Sequence, residues 1–434
     1  MNLNSLSALK LIVVATALLM QGCAFQQWKI NNIAEQLRGG SAQQALVAMQ
    51  GVEPPKRDQA QYLLNMGMLK HLNGDLKGST QDLQQAKELM AQLQAVSVRE
   101  VIGASTVNET LRSYIGSPSE RVLTQQLLAL NYLAQGDLDG ARVEMLQASV
   151  LMREVADKDS LSGQLASAYF ITALIYELGR EWDDALIAYR HTAELMDERG
   201  QILPSALQES LLRLTKQNGL REEYQQYVQR FGREANALDA NEAEVIALYW
   251  QGVVSAKKQS KISVFAPTLG HHISLAVPTY ADFYAGSEGS LLSVGSYQAT
   301  TQLLDDVEVL AREDLQAQMP KITATTLVRA VAKHQAVKQA RESGQQNGGG
   351  TLFGFIADVA SVLTEVADLR SWNTLPANIQ VARLSVPAGE YPVHLGRGST
   401  AAVPSTKNIK REAKQTAVLR AHGVSDQRCV YTTQ

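Results

Sequence analysis

Several groupings of residues in this 434-residue chain are of types that could do chemistry. Ser255-Ala256-Lys257-Lys258 has the S-x-x-K spacing in which a lysine amine can take the proton of an attacking serine hydroxyl. Its companion motifs fail, because no K-T-G follows and Ser425-Asp426-Gln427 is not S-D-N. Gly348-Gly349-Gly350-Thr351 lacks the lysine with which a glycine-rich loop grips phosphate, and neither G-x-S-x-G nor H-E-x-x-H occurs. His271-His272 is an adjacent pair, and consecutive side chains of a strand leave on opposite faces, so the two imidazoles make a poor metal site. These failures predict a protein that is not an enzyme, with no catalytic residue, no metal and no cofactor. Two thiols remain, Cys23 and Cys429.

Cys23 stands where its neighbours give it a use. Residues 1–22 read as a signal peptide, polar and weakly basic to Lys10 and then apolar from Leu11 to Met20, a run too short to span a bilayer. Met20-Gln21-Gly22-Cys23 resembles a bacterial lipobox, with Gly22 and Cys23 fitting fully and Met20 and Gln21 as tolerated variants. That resemblance implies lipidation of Cys23, and two or three acyl chains anchor stably where one does not. Ala24 follows in place of the inner-membrane-retaining Asp, which implies the periplasmic face of the outer membrane. Only Cys429 is then left, so no internal disulfide is expected, and this thiol is read as sheltered near the C-terminus.

Removing 22 residues leaves 412, enough for two or three domains. A net charge of −3 with 45% hydrophobic residues fits a folded body, and nucleic acid is not an expected partner. A small-molecule ligand is not expected either.

The elements that dominate the chain are helical pairs. Ala129, Tyr132 and Ala141 recur as Ala173, Tyr176 and Ala185, the small-and-aromatic spacing of a TPR, in which small residues let helices approach and aromatics fill the wedge between pairs. A weaker copy has Gly67, Ser79, Leu83 and Ala86, with Lys70 where the tyrosine is expected. Turns at Gly74, Gly136 and Gly179 offer glycine C-caps, residues 87–116 read as an insertion or a longer helix, and Ser117-Pro118-Ser119-Glu120 is a strong helix start. Pro204 opens a further helix and Gly219 separates another, while Asn236–Lys257 is predicted as the last helix. Arg221, Glu222, Glu223, Arg230 and Arg233 suit the polar outer face that ends a solenoid.

Glu120-Arg121-Val122-Leu123, Leu130-Asn131-Tyr132-Leu133 and Ala141-Arg142-Val143-Glu144, together with Arg370-Ser371-Trp372 and Thr374-Leu375-Pro376, resemble a little-characterised family of proteobacterial envelope lipoproteins with TPR-like helices. Members are often encoded beside activators of penicillin-binding proteins, so the resemblance implies a role in envelope or peptidoglycan maintenance. It brings no catalytic residue.

From Gln259 the composition turns to short β-rich runs: Ile262–Phe265 and Ile273–Val277 about a turn at Gly270, closed by Pro278, and then Ser290–Thr301. A short helix is predicted over Asp305–Ala317 and a longer one from Pro320 to near Glu342, followed by a break at Gly344–Gly350. Thr351–Leu369 reads as an apolar helix, either for an interface or for the core, and its acids favour the core. Ile379–Val386 and Tyr391–Leu395 read as a hairpin about Pro387-Ala388-Gly389-Glu390, with Trp372 anchoring the loop before it or binding a ligand. The tail from Gly396 carries seven bases, Lys410, Arg411 and Lys414 among them, against two acids. Such a tail could steer towards an anionic partner or be merely exposed.

The expected fold class is mainly α, an N-terminal TPR-like helical solenoid followed by a smaller α+β domain. Its boundaries are a signal peptide over 1–22, the repeats over 23–257, a mixed domain over 258–395 and a basic tail over 396–434. The expected function is a protein-binding scaffold held to the outer membrane by its lipid, with envelope proteins docking on the concave surface of the repeats. The alternative is an accessory subunit of a secretion or surface-polymer export assembly.

Overall fold

The computed structural model describes residues 27–100, 113–236, 241–280, 288–346, 366–396, 407–410, 416–423 and 428–432. Cys23, Arg411, Lys414 and most of the apolar stretch Thr351–Leu369 lie outside them. The chain is mainly α: a TPR-like run of helical pairs, then a smaller α+β part.

The helices pair as α1 (27–38) with α2 (Ala42–Gln50), α3 (Gln59–Leu72) with α4 (Leu76–Glu100) and α5 (Pro118–Ala134) with α6 (Leu138–Val155). They continue as α7 (Ala166–Leu178) with α8 (Trp182–Glu198), and α9 (Ser205–Gln217) with α10 (Arg221–Phe231). Residues 87–100 are thus the long end of α4. Ser117 caps α5 in a full capping box, its Oγ accepting from the Glu120 N–H while the Glu120 carboxylate accepts from the Ser117 N–H at 2.7 Å. Gly74 and Gly136 take the left-handed turn conformation at φ +83° and +80°, but at the third turn it is Arg180 that does so, at φ +61°. Gly179, the right-handed C-cap of α7, sits beside it, where an added Cβ would lie 2.8 Å from Glu181 Oε1 and 3.0 Å from Arg142 Nη2, the ends of two side chains that can move.

The β part begins earlier than predicted. Asn236–Lys257 is not a helix; its centre is strand β1 (Glu242–Gln251), buried along almost its whole length. A strand covered on both faces loses the alternation that marks a half-buried one, and its continuous apolar run is indistinguishable by period from a buried helix. The boundary set at 257 therefore falls after the first strand of the second domain. β1 is the middle of a five-stranded sheet, flanked by β7 (Asn378–Pro387) and then β6 (Gln302–Asp306) on one side, and by β10 (Thr416–Gly423) and then β11 (Arg428–Thr432) on the other. β10 runs parallel to β1, with Glu244 opposite Thr416 and Gln251 opposite Gly423. The basic tail is therefore not a free appendage, since its backbone completes the sheet.

A second sheet contains β4 (Leu291–Val294), β5 (Tyr297–Thr300), β8 (Glu390–Gly396) and β9 (Lys407–Lys410). β7 and β8 were expected to form a hairpin, yet they belong to different sheets, and Pro387-Ala388-Gly389 carries the chain between layers. Period-2 alternation explains the stacking. Ile246, Leu248 and Trp250 of β1 join the core of the helices, whereas Val245, Ala247 and Tyr249 pack with Leu292, Val294, Val393 and Leu395 of the second sheet. The result is three layers: helices, five strands, four strands.

β2 (Lys257–Ala266) and β3 (His271–Tyr280) form a separate ribbon along α11 (Val307–Gln346), with Pro278 inside β3 rather than closing it. Arg312 lies over the Tyr280 ring at 5.5 Å near the base, and His334 lies 5.5 Å from His271 further out. The two helices predicted over 305–342 are this one helix. Pro320 sits inside it on an exposed face, where the carbonyl it leaves without a donor can be met by water.

Candidate protein-interaction site

The repeat positions come first. Ala129, Ala141, Ala173 and Ala185 are completely buried where helices meet. A Cβ on Gly67, the matching position of the first copy, would lie 2.6 Å from Leu83 Cγ, which shows why these sites stay small. Tyr132 and Tyr176 are half-buried wedges between pairs: the Tyr132 hydroxyl accepts from Gln84 of α4, and the Tyr176 ring lies under the Arg142 guanidinium of α6. Lys70 replaces the tyrosine with an ion pair, 2.6 Å from Asp82. The charges of the last pair are tied to neighbours, Glu223 to Arg190, Arg230 to Asp197 and Arg233 to Glu209.

The first helices of the later pairs, α3, α5, α7 and α9, form the inner face, and α3, α5 and α7 bury the polar side chains Gln61, Asn65, Glu120 and Glu177. That face is not open. Residues 366–377 cross it as a strap without helix or strand, so the part of the predicted helix Thr351–Leu369 that can be seen, from Val366 on, is irregular. Arg370 pairs with Asp58 at 2.8 Å and with Asp368 at 2.6 Å. Gln61 Nε2 donates to the Ser371 carbonyl at 2.8 Å, and the Thr374 N–H donates to Asn65 Oδ1 at 3.2 Å.

Trp372 is the centre of the strap. Its ring is fully buried in the helical core, and its N–H donates to Glu120 Oε1 at 2.6 Å. The other oxygen of Glu120 accepts from Ser117 and from the Tyr114 hydroxyl, so one carboxylate both caps α5 and holds the strap. The indole N–H is used internally, on Thr374 Oγ1 at 3.2 Å. Trp372 therefore anchors the second domain to the helices with its ring fully buried.

Further along, two carboxylates of α11 and β6 serve as caps for helices of the other layer. Asp314 accepts from the Ser119 N–H at 2.9 Å and from the Gly163 N–H at 3.1 Å; Asp305 accepts from the Ala166 and Ser167 N–H groups at 3.2 and 2.7 Å. Burial raises the pKa of both, against the lowering effect of these donors and, for Asp305, of Arg199. At the far end Arg383 of β7 is gripped by Glu244 at 2.6 and 2.7 Å, by Glu177 at 2.5 Å and by Ser210 at 2.8 Å. Burial alone would raise Glu177, but the guanidiniums of Arg383 and Arg213 outweigh it and hold the carboxyl down at about 2.

These contacts were not readable as such in the sequence. Neither was the buried chain between the first pairs, where Asn131 meets His71 Nδ1 at 2.6 Å and donates to Ser79 Oγ at 2.9 Å, while His71 stacks on Trp250 at 6.5 Å. Of the chemistry-bearing groups weighed above, Ser255 lies in a loop and Lys258 in β2, so they share no helical turn. His271 and His272 contact different neighbours, His334 and Phe265. No group of three His, Cys, Asp or Glu side chains placed to share a metal occurs among the described residues. Lys410 sits in β9, opposite Glu390.

No protein-family model matches the chain, nor does any curated protein. Among solved structures it is similar to the apo form of RapI, with 10% identity over 47% of this chain and 68% of that one, at a TM-score of 0.36. It is also similar to MamA, with 16% identity over 45% of this chain and 90% of that one at a TM-score of 0.31. A third is a putative kinesin light chain from Podosopora anserina with nearly identical TPR-like repeats, at 16% identity over 46% and 90% and a TM-score of 0.32. Likeness at this level transfers no partner and no site residue.

Proposed function

We propose that the chain is a non-enzymatic scaffold of the bacterial envelope, lipidated at Cys23, held on the periplasmic face of the outer membrane and acting in cell-envelope maintenance. The observation that carries the scaffold reading is the filled inner face: Glu120, Gln61, Asn65 and Glu177 are bonded to the chain's own second domain. Helices and sheets so joined act as one body, and partners meet it from outside. The anchor reading is supported by Gly22-Cys23 at the end of the apolar run Leu11–Met20. Cys23→Ser is expected to move the protein from the membrane fraction into the soluble periplasm, and unchanged fractionation would refute the anchor. Photocrosslinkers placed on the outer helices in intact cells are expected to recover peptidoglycan synthases or their activators; recovery of export machinery alone would replace this reading with the assembly-subunit one.

A further inference from the structure

With the inner face filled, the outer helices α6 and α8 are where the repeats meet solvent. On α6, Val143, Leu146 and Val150 are 50%, 46% and 45% exposed, and on α8 Ile187 is 47% exposed at the position equivalent to Val143. The α6 residues fall at i, i+3 and i+7, which places them in one line on the helix. Asp139, four residues before Val143, and Glu154, four after Val150, are exposed at the two ends of that line. Asp183, Asp184 and Glu194 stand around Ile187, with Arg190 paired to Glu223 and His191 to Glu194, while Arg153 is the exposed base beside Glu154 at the end of the α6 line. Arg142 of α6 bridges to Glu181, the residue that precedes α8, so the start of α8 lies beside α6.

An apolar line bracketed by carboxylates selects its occupant by charge. An anionic bilayer is disfavoured, because interfacial helices present lysine and arginine beside their apolar face. A second copy docking the same surface would bring acid against acid. We propose that the α6–α8 surface binds a basic amphipathic helix of a partner protein, its leucine-like side chains on Val143, Leu146, Val150 and Ile187 and its lysines or arginines on the flanking carboxylates. This rests on the scaffold reading above and names the chemistry of its partner.

The purified chain is titrated with a fluorescein-labelled synthetic helix bearing leucines at i, i+3, i+4 and i+7 and lysines on both flanks, and with the same helix carrying glutamates. Expected is a saturable rise in anisotropy for the basic helix only, weakened by added salt. Val143→Ser/Leu146→Ser/Val150→Ser should weaken it by about tenfold or more while the melting curve stays in place. Asp139→Asn/Glu154→Gln, which leaves the apolar line intact, should reduce the salt dependence. No binding, equal binding of the two helices, or binding undiminished by the serine variant overturns the proposal. So does a dimer that the serine variant abolishes in sedimentation, which would give the surface to a second copy. None of these outcomes bears on the crosslinks in cells, so the two readings fail separately.

Discussion

Each side of the helical layer has residues that depart from the usual rule for a soluble helix, and the two sides depart in opposite directions. The inner helices bury Gln61, Asn65, Glu120, Asn131 and Glu177, whereas the outer helices expose Val143, Leu146, Val150 and Ile187. The inner polar groups are tolerated because each has a partner from another part of the same chain, without which burial would cost about 1–3 kcal/mol per neutral group and more for a charge. What differs between the two faces is therefore partnership. The inner face has met its partner within the molecule and the outer face has not.

The most damaging break should come at the arginine end of the inner face. Arg383→Ala leaves Glu244 without its guanidinium and Glu177 with Arg213 alone, and removing one member of a buried ion pair costs about 3–5 kcal/mol. Two carboxylates are involved, so a value near the top of that range is expected in denaturant unfolding. Val150→Ser on the outer face should stay within about 0.5 kcal/mol. Equal effects of the two would erase the distinction between the faces.

Trp372→Ala tests the strap end. Deleting a fully buried indole costs about 3–4 kcal/mol through lost burial and the cavity left behind. The loss should be local as well as global: protease should cut first within 366–377, while the Arg383 contacts hold the sheet on α7 and α9. Cutting elsewhere first would mean that the strap is not a separate point of attachment.

Acid gives a third test. The folded-state pKa of Glu177, about 2, lies below the ordinary glutamate value of 4.5, so its contribution is complete above pH 4.5 and lost as pH falls towards 2. Asp305 and Asp314 are raised and act with the opposite sign, favouring the folded state as they take up protons. Stability measured against pH should therefore fall between 4.5 and 2, and Glu177→Gln should flatten that fall. A fall of the same size in the variant would place the acid-sensitive group elsewhere.

Local signals in the sequence located much of the helical layer, since caps, small positions and helical period are properties of neighbouring residues. The Ser117 cap and the buried alanines sit at the spacings read for them. The strap and the sheet were not legible, because their cause lies hundreds of residues away. Glu120 reads as a capping glutamate, and nothing nearby indicates that Trp372 will use its second oxygen. Glu242–Gln251 reads as a helix because both of its faces are covered, by layers drawn from opposite ends of the chain. The split between β7 and β8 escaped for the same reason: a proline-glycine turn is the same four residues whether it closes a hairpin or crosses between sheets.

The finest test lies at the turn joining the inner helix α7 to the outer helix α8. Arg180 holds φ +61°, a conformation that costs a residue with a Cβ about 1–2 kcal/mol, whereas Gly74 and Gly136 meet the same need in the other turns without that cost. Gly179, one residue earlier, is the right-handed C-cap of α7 at φ −76°, so the left-handed position falls on Arg180. Arg180→Gly should therefore stabilise the chain, by about 1 kcal/mol once the greater freedom of glycine in the unfolded state is subtracted. Arg180 is exposed, so no burial is lost with its side chain. The gain should also leave binding on the outer face unchanged, since Ile187 begins a full turn beyond Trp182. A destabilised Arg180→Gly variant would mean that the arginine side chain holds the turn, and that this junction is built on side-chain contact where its two counterparts are built on glycine.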